Sequence, residues 1–253
     1  WDSLRYHNKK FIFLNEHIKR LYKDAKLINL KIHLTQNELI EALHKTIRIN
    51  KMISDVHLRI IVSRGIKSTP YQSPDVTISK PTIIIIPEYK KPDSKIYKKG
   101  LKLVTVNIIR GPKNVQDPQI NSLSKLNCIL ACIEATKKNG EEALMFDING
   151  NIATNNSTHF FYIKNNTIFT STGKYCVTGI TRQKIIDICK KNKIKIKQKN
   201  FRLKEVLKAD EAFATGTFAG VVPIRQINNK KLLIKKDNLT FKILNLYNQL
   251  VNQ

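Results

Sequence analysis

The sequence has few of the features that mark several classes of protein. Only four of its 253 residues are cysteine and nine are glycine, which excludes a disulfide scaffold and a collagen. Its most apolar stretch, Ile83–Ile86, ends at Pro87 and is far too short to cross a membrane. No secretory signal peptide is visible. The ordinary content of apolar (42%) and charged (25%) residues excludes a disordered chain and predicts a folded globular protein.

Familiar catalytic and metal-binding motifs are also missing. The chain contains no GxGxxG, Walker, GxSxG or HExxH pattern, and its six histidines have no spacing that predicts a metal site. The cysteines form no CxxC pair. Cys128 and Cys132 lie four residues apart in an apolar helical pattern, which is typical of small buried side chains. This cysteine usage favours a reducing, cytoplasmic compartment.

Acidic residues are scarce, 19 against 45 basic ones, and the formal net charge is +26. One interpretation is a protein that binds nucleic acid or another anionic surface. The other is a lysine-rich composition of the kind that AT-rich codon usage produces. The lysines are spread along the chain, and no basic run is interleaved with aromatic residues that could stack on bases. We therefore favour the second interpretation and do not expect nucleic acid as a partner, although the charge should attract phosphate-bearing ligands.

The apolar patterns predict a mixed α/β or α+β fold in two blocks. Thr35 and Glu38 form a capping-box pattern, and Asn165-Asn166 suits a two-residue hairpin turn. The predicted helices cover Glu16–Leu27, residues 36–50, a helix with Leu126, Ile129, Leu130 and Ile133 on one face, Thr181–Lys191 and Phe241–Val251. The predicted strands cover His57–Ser63, Thr82–Ile86, Leu101–Ile109, Ala143–Asp147, His159–Lys164, Thr167–Thr170, Glu211–Gly216 and Val222–Ile227, with a half-exposed strand in Lys190–Lys199.

A charged, proline-flanked segment that begins at Pro87 separates the two blocks. We predict a small N-terminal α/β domain over residues 1–88, a linker over residues 89–100 and a larger C-terminal domain over residues 101–253. The chain opens with Trp1 instead of Met, so we expect the first domain to be truncated at its start.

Two glycine- and threonine-rich turns are candidates for binding an anion. Gly179 to Arg182 is predicted to open a helix, where backbone N–H groups and a threonine hydroxyl form an anion cradle. Thr215 to Gly220 lies between two predicted strands and offers a second set of N–H groups. Each turn alone also fits an ordinary cap or hairpin.

The order of these segments along the chain is more specific than either turn. A His-Ile-Lys-Arg-Leu segment at residues 17–21 comes first, and Ser124-Lys125-Leu126-Asn127 follows the polar loop. Then come residues 142–147, 179–182, 209–213 and 215–217, and finally Val222-Pro223-Ile224. From Trp1 to the last helix this series resembles the class IV aminotransferases. These are the pyridoxal-phosphate (PLP) fold type that includes branched-chain aminotransferases, D-amino-acid aminotransferases and aminodeoxychorismate lyases.

The resemblance implies a small α/β domain, a larger domain on a barrel-like sheet, PLP between them and a homodimer. The residues that it assigns to the cofactor are Arg20, Gly179, Ile180, Thr181 and Thr217, all toward the phosphate group. Those that it assigns to the substrate are Trp1, Arg5, Phe218 and Ala219. No metal site is implied.

Two positions depart from the family pattern. If the alignment is anchored on residues 129–135, the lysine of the internal Schiff base falls on Asn121. If it is anchored on residues 125–127 with a small gap, that lysine is Lys125. No other lysine lies between Lys113 and Lys137, so a Schiff base in this segment requires Lys125, which otherwise is a solvated residue in the first turn of a helix.

The second departure is Thr154, where the family has a glutamate that pairs with the pyridine nitrogen of PLP. A hydroxyl does not hold the proton on that nitrogen as firmly, so transamination should be harder and elimination is favoured. The main hypothesis is an aminotransferase that moves the amino group of a small or branched-chain amino acid to a 2-oxo acid, with Lys125 as the catalytic residue. The alternatives are a PLP lyase, favoured by Thr154, and an impaired homologue, favoured by Asn121. The substrate and its L or D configuration stay open.

Overall fold

The computed structural model describes residues 1–252. Contacts divide the chain into two compact units. Unit 1 contains Trp1–Lys91 together with Asn121–Leu123, and unit 2 contains Pro92–Ile120 and the chain from Ser124 onward. The division falls after Lys91, inside the segment 89–100 that we predicted as the linker; that segment also holds a short helix.

Unit 1 is a four-stranded antiparallel sheet covered by two helices. The strand order is β2-β1-β3-β4. Ile18 and Leu21 of the first helix and Leu39 of the second pack on the sheet in one buried core. The predicted capping box at Thr35 is confirmed. The Thr35 hydroxyl accepts a hydrogen bond from the Glu38 backbone N–H, and the Glu38 carboxylate accepts one from the Thr35 backbone N–H. The elements of unit 1 are β1 Asp2–His7, β2 Lys10–Ile12, α1 Leu14–Leu27, α2 Gln36–Ile49, β3 Val56–Val62, a 3-10 turn Pro74–Val76 and β4 Ile83–Tyr89.

Unit 2 is built on a nine-stranded mixed sheet with the order β10-β9-β8-β11-β12-β5-β6-β7, and β13 pairs with β12. Its strands are β5 Leu101–Thr105, β6 Glu142–Phe146, β7 Ile152–Asn155, β8 His159–Lys164, β9 Thr167–Thr170, β10 Ile196–Gln198, β11 Glu211–Gly216, β12 Gly220–Ile227 and β13 Lys230–Lys231. Its helices are α3 Lys95–Lys99, α4 Leu126–Lys137, α5 Ile180–Lys191, α6 Leu203–Val206 and α7 Leu239–Asn252.

The sheet of unit 2 is curled. Ile152 lies on β7, at one end of the strand order, and Phe160 lies on β8, near the other end. Both belong to one buried cluster with Leu103 and Ala214. A flat sheet could not bring its two ends into one core, whereas a twisted sheet that curls can. The predicted combination of a small α/β part and a larger, barrel-like part is therefore confirmed.

Several boundaries differ from the prediction. The strand predicted over Leu101–Ile109 ends at Thr105, and the chain pairs again at the end of β6 in an isolated bridge between Arg110 and Asp147. The hairpin β1–β2 and the strand β7 were not predicted as strands. The Asn165-Asn166 turn is confirmed, since both residues have a positive φ, 48° and 55°.

Within residues 1–252 no helix is long and apolar enough to cross a membrane. The longest helices, such as α1, have 14 residues. At about 1.5 Å per residue, such a helix is shorter than the hydrocarbon core of a bilayer.

Candidate active site

The first part of the candidate site is the N-terminus of α5 in unit 2. The helix begins at Ile180, and Gly179 is its N-cap in an extended conformation, with φ −69° and ψ 126°. Thr181 is buried in the first turn, which holds no acidic residue. The backbone N–H groups of a first turn have no acceptor within the helix, and they carry partial positive charge. This end of α5 therefore suits a phosphate or another anion.

His159 on β8 closes one side of this helix end. A Cβ atom at residue 179 would collide with the His159 imidazole, so this close approach requires glycine. The Nε2 side of the ring faces Gly179, and the Nδ1 atom lies 3.7 Å from the Sγ atom of Cys176. Burial raises the pKa of the Cys176 thiol, which therefore stays neutral and serves to hold the ring.

A buried hydroxyl lies beside His159. Thr215 on β11 is the register partner of His159, and Phe213 is the partner of Phe161. Direct partners in an antiparallel pair project to the same face, so Thr215 and His159 share the face on which Phe161 and Phe213 stack at 4.8 Å. The Thr215 Oγ1 atom is buried and has no hydrogen-bond partner within residues 1–252. A buried polar atom of this kind is costly unless a ligand satisfies it.

The turn from β11 to β12 carries three predicted site residues, Thr217, Phe218 and Ala219, all half-buried. The Ala219 carbonyl accepts a hydrogen bond of 2.9 Å from the Tyr97 hydroxyl. Gly220 follows with φ +67°, and a Cβ atom there would lie 2.6 Å from the Tyr247 ring. The turn is therefore fixed from both sides.

Thr154 lies on β7 and is buried. Its hydroxyl donates to the Thr158 carbonyl at 2.8 Å, so it can offer only lone pairs to a further group. The nearby carboxylate of Glu142 accepts from the hydroxyls of Ser157 (2.6 Å) and Thr158 (2.8 Å) instead. Burial raises the pKa of Glu142. Glu142 therefore holds the turn between β7 and β8 and does not stand in for the glutamate that the resemblance implies at residue 154.

Lys125 is the N-cap residue of α4 and is half-buried. Its carbonyl accepts from the Ile129 amide at 2.9 Å, which closes the first turn of the helix. The side chain makes no capping hydrogen bond. Its amine is the one lysine amine between residues 113 and 137.

Asn121 belongs to unit 1, where it is buried. Its amide nitrogen Nδ2 donates to the Trp1 carbonyl at 3.0 Å, and its backbone N–H donates to Asp24 at 2.9 Å. The Trp1 indole in turn donates to the Ser122 carbonyl at 2.7 Å, and the Arg59 guanidinium lies 4.7 Å above the Trp1 ring. Asn121 therefore anchors its segment to unit 1 through a neutral amide.

Arg20 on α1 is held by a buried carboxylate. Its Nε and Nη2 atoms donate to Asp2 at 2.8 Å and 2.7 Å, and His17 lies 2.8 Å from the same carboxylate. Burial alone would raise the pKa of Asp2, but the hydrogen bonds from His17 and Arg20 outweigh it and hold that pKa below its ordinary value. Two of the three guanidinium nitrogens thus face Asp2, and the orientation of Arg20 is fixed.

Arg5 lies apart from this group. It is on β1, three residues after Asp2, and its Nη2 atom is 3.9 Å from Asp55. Side chains alternate along a strand, so Arg5 projects from the face opposite to Asp2. Arg182, the last residue of the predicted anion cradle, also lies apart, because it donates to the Ser171 carbonyl and to Gln198.

Within unit 2 the structure thus brings Gly179 and His159 together with Thr215, and within unit 1 it joins Arg20 to Asp2. Asp2 is a functional candidate that the sequence did not single out, and Thr215 was singled out only as part of the turn from Thr215 to Gly220, not for its own hydroxyl. Thr215 lies near the end of β11, and Thr217 lies in the turn that follows this strand. The Thr215-Gly216-Thr217 segment was the available signal.

The large curled sheet with an anion-binding helix end, together with a small α/β unit, defines a two-part protein suited to a phosphorylated small molecule. The sequence profile described as "Amino-transferase class IV" matches residues 1–227. The chain therefore belongs to the class IV aminotransferase family, which confirms the resemblance.

Two named relatives illustrate this membership. The chain is 32% identical over 232 residues to "Branched-chain-amino-acid aminotransferase-like protein 2" of Arabidopsis thaliana, a match that covers 91% of the chain and 41% of the plant protein. It is 29% identical over 223 residues to a branched-chain-amino-acid aminotransferase of Pseudomonas aeruginosa, covering 87% of the chain and 71% of that protein. The chain thus spans less than half the length of the plant relative.

Solved structures share the fold. The branched-chain aminotransferase of Thermoproteus uzoniensis with norvaline matches with a TM-score of 0.88 and 26% identity, over 99% of this chain and 84% of that one. The T.th. branched-chain amino acid aminotransferase with pyridoxamine 5'-phosphate has a TM-score of 0.91 and 24% identity, with the same coverage.

Proposed function

We propose that the chain is a PLP-dependent aminotransferase that moves the amino group of a small or branched-chain amino acid to a 2-oxo acid. The observation that carries this proposal is the unpartnered, buried hydroxyl of Thr215. Thr215 pairs in register with His159, whose imidazole contacts Gly179 at a helix end suited to a phosphate group. The named relatives are branched-chain aminotransferases, which supports that substrate class. The boundaries 1–88, 89–100 and 101–253 and a cytoplasmic location, suited to four free thiols, belong to the same proposal.

The residues of the helix end fit the phosphate of PLP. Ile180 and Thr181 would donate backbone N–H groups, and the hydroxyls of Thr215 and Thr217 would donate to the remaining oxygens. The resemblance assigns Arg20 to the phosphate as well, and its fixed guanidinium is suited to that task.

Other residues would act on the substrate. Backbone N–H groups of Phe218 and Ala219 would bind its carboxylate, and Trp1 and Arg5 would border its pocket. When bound, PLP supplies an electron sink for chemistry at the Cα atom of an amino acid. Lys125 would hold the cofactor through Nζ, and the same atom would move the proton from Cα of the substrate to C4′ of the cofactor.

Two positions favour second candidates. Thr154 offers lone pairs but no carboxylate, which favours a PLP lyase on the same fold. Asn121 uses its side-chain amide on Trp1, so it gives no amine at the position where the resemblance implies the lysine. That arrangement favours an impaired homologue. Mixing PLP-loaded protein with leucine, which has no leaving group at Cβ, and with serine, which has one, separates the candidates. Transamination of either yields the pyridoxamine form of the cofactor and a 2-oxo acid, whereas β-elimination of the serine hydroxyl yields water, ammonia and pyruvate.

The unpartnered hydroxyl gives a test of the phosphate site. The Thr215→Val variant keeps the shape of the side chain but removes a buried polar group. We expect the ligand-free protein to unfold at the same free energy or up to about 1 kcal/mol higher. We expect PLP affinity to fall about tenfold and pyridoxal affinity, which involves no phosphate, to stay unchanged.

Thr240→Val is the matched control, because Thr240 also has a buried Oγ1 atom without a partner in residues 1–252 but lies at the start of α7. It should leave PLP affinity unchanged. Equal PLP affinity of wild-type protein and Thr215→Val, measured by fluorescence titration, would argue against a phosphate at Thr215.

We also propose that the chain forms a homodimer through α4. The helix buries only small side chains, Cys128, Ala131 and Ala135. Its other face is apolar and exposed, and we name it the α4 stripe: Leu126, Ile129, Leu130 and Ile133, between 42% and 68% exposed. A contiguous apolar face of this kind on a protein of charge +26 is typical of an interface.

The double variant Ile129→Glu/Ile133→Glu should therefore convert the dimer to a folded monomer, since it places charge in the centre of the proposed interface. Sedimentation velocity reports the mass directly. Leu233→Glu, at another exposed apolar residue (72% exposed), is the control and should stay dimeric. A wild-type monomer, or a double variant that stays dimeric, would exclude the α4 stripe as the interface.

A further inference from the structure

A cavity lies in unit 1 on α1, the helix that also carries Arg20, and none of its lining residues belongs to the candidate active site. It has a volume of about 650 Å³ and opens beside the face of α1 that carries Lys19, Lys23 and Lys26. These lysines follow one another at helical spacing, so they form a ridge along one side of the cavity. Lys31 lines it from the loop that follows α1. The volume is in the range that small organic ligands occupy. We name this feature the α1 cavity.

The lining of the α1 cavity between the lysines is apolar. Leu30 is buried and Ile32 is half-buried, and both line the cavity. The Tyr22 ring forms a further wall, since its hydroxyl donates to the Leu34 carbonyl at 2.8 Å. The methylene stems of the lysines add to this apolar surface.

The charged side chains that line the α1 cavity are all basic. Its lining includes four lysines and no carboxylate. Among the described residues none of these lysines forms an ion pair with a carboxylate within 4.0 Å. Burial and the carboxylate of Glu38, on the neighbouring helix, raise the pKa of Tyr22, so one negative charge lies near this wall. Glu38 accepts hydrogen bonds from Thr35 in the capping box and forms no ion pair with the four lysines.

Lysines are common on this chain and also line another of its cavities. That cavity, of about 340 Å³ in unit 2, also contacts three lysines. Its lining includes four asparagines and Asp237, so it offers compensating charge and little apolar surface. Of these two cavities, only the α1 cavity combines lysines with an apolar lining that contains no carboxylate.

We propose that the α1 cavity binds an amphiphilic organic anion. Its carboxylate or phosphate head would lie among the ammonium groups of Lys23, Lys26 and Lys31, and its apolar body would pack on Leu30 and Ile32. A free fatty acid and the anionic lipid of a membrane share this chemistry. The cavity is an open recess, but its volume of about 650 Å³ suits one small molecule, which favours the free molecule. A bilayer surface would contact the ridge of α1 without filling the recess.

The test uses decanoate below its micellar concentration, titrated by calorimetry into the full chain. Decyltrimethylammonium, with the same apolar body and the opposite charge, is the control ligand. The variant Lys23→Glu/Lys26→Glu should bind decanoate about tenfold more weakly or worse. The matched control is Lys45→Glu/Arg48→Glu, at the equivalent positions of α2, a helix of the same length. It makes the same change in net charge and should bind as the wild type does.

A second variant keeps the proposal testable if the charge reversals perturb folding. Ile32→Trp adds volume inside the cavity without changing charge, and it should abolish decanoate binding while far-ultraviolet circular dichroism stays unchanged. Absent decanoate binding, equal binding of both decyl ligands, or equal weakening in the two charge variants would overturn the proposal. Binding to phosphatidylglycerol vesicles without binding to decanoate would also overturn it and would indicate a membrane surface instead.

Discussion

Lys125→Ala is expected to lower the transamination rate by about 10²–10⁴-fold, the contribution typical of a group that transfers a proton in the rate-limiting step. The reason is that no other lysine lies between Lys113 and Lys137, so no neighbouring amine in that segment can replace Nζ of Lys125. The rate of pyridoxamine formation from PLP-loaded protein and leucine or valine measures the effect.

Lys137→Ala is the control, since Lys137 is an exposed lysine in the last turn of the same helix, and its activity should match the wild type. Asn121→Lys makes the opposite change, because it places an amine at the position that the other alignment favours. If Lys125→Ala stays active, or if Asn121→Lys restores an activity that the wild type lacks, then Lys125 is not the catalytic lysine and the impaired-homologue alternative gains support.

Asp2→Asn is expected to lower the free energy of unfolding by about 3–5 kcal/mol at pH 7, the usual cost of breaking a buried ion pair. Asp2 is fully buried, and its carboxylate is the partner of both Arg20 and His17. Without its charge the Arg20 guanidinium stays largely buried with no opposite charge on Asp2. Urea unfolding at pH 7 measures the loss.

The matched control is Asp55→Asn. Asp55 also contacts a histidine and an arginine, His7 and Arg5, but its side chain is 29% exposed. The change there should cost no more than about 1 kcal/mol. If both variants lost a similar free energy of unfolding, burial of the ion pair at Asp2 would not explain its contribution to stability.

The Asp2 network also predicts a dependence on pH. Its pKa is lower in the folded state, so the unfolded chain binds the proton first as the pH falls. The stabilisation by Asp2 is therefore complete above the ordinary pKa of aspartate, near 4, and is lost as the pH falls toward the lower folded value. The stability difference between wild type and Asp2→Asn should shrink between pH 5 and the acid limit of folding. A constant difference over that range would contradict the pKa shift.

The parts of the fold that depend on neighbouring residues were predictable from the sequence. The capping box of Thr35 and Glu38 and the Asn165-Asn166 turn depend on residues within a few positions of one another, and the structure confirms both. The strand predicted to reach Ile109 stops at Thr105, because apolar composition alone does not show where pairing with neighbouring strands ends. That information lies in β6 and β12, which are distant along the chain.

The candidate site was predictable where it depends on one segment. The resemblance singled out the helix start at Gly179 and Ile180, and the structure places an anion-suited helix end there. The role of the Thr215 hydroxyl was missed because it depends on pairing with His159, which is distant along the chain. The exposure of the α4 stripe could not be predicted either. The apolar spacing of Ile129 and Ile133 identifies a helix face, but it does not show whether the same chain or a second chain covers that face.

The measurement that tests the central proposal most directly is reduction of the PLP-loaded protein with borohydride, followed by peptide mapping. We expect one pyridoxyl group, on Lys125, and an absorption band of bound PLP before reduction. Folded protein that shows no band and no labelled lysine, or a label on a different lysine, would contradict it.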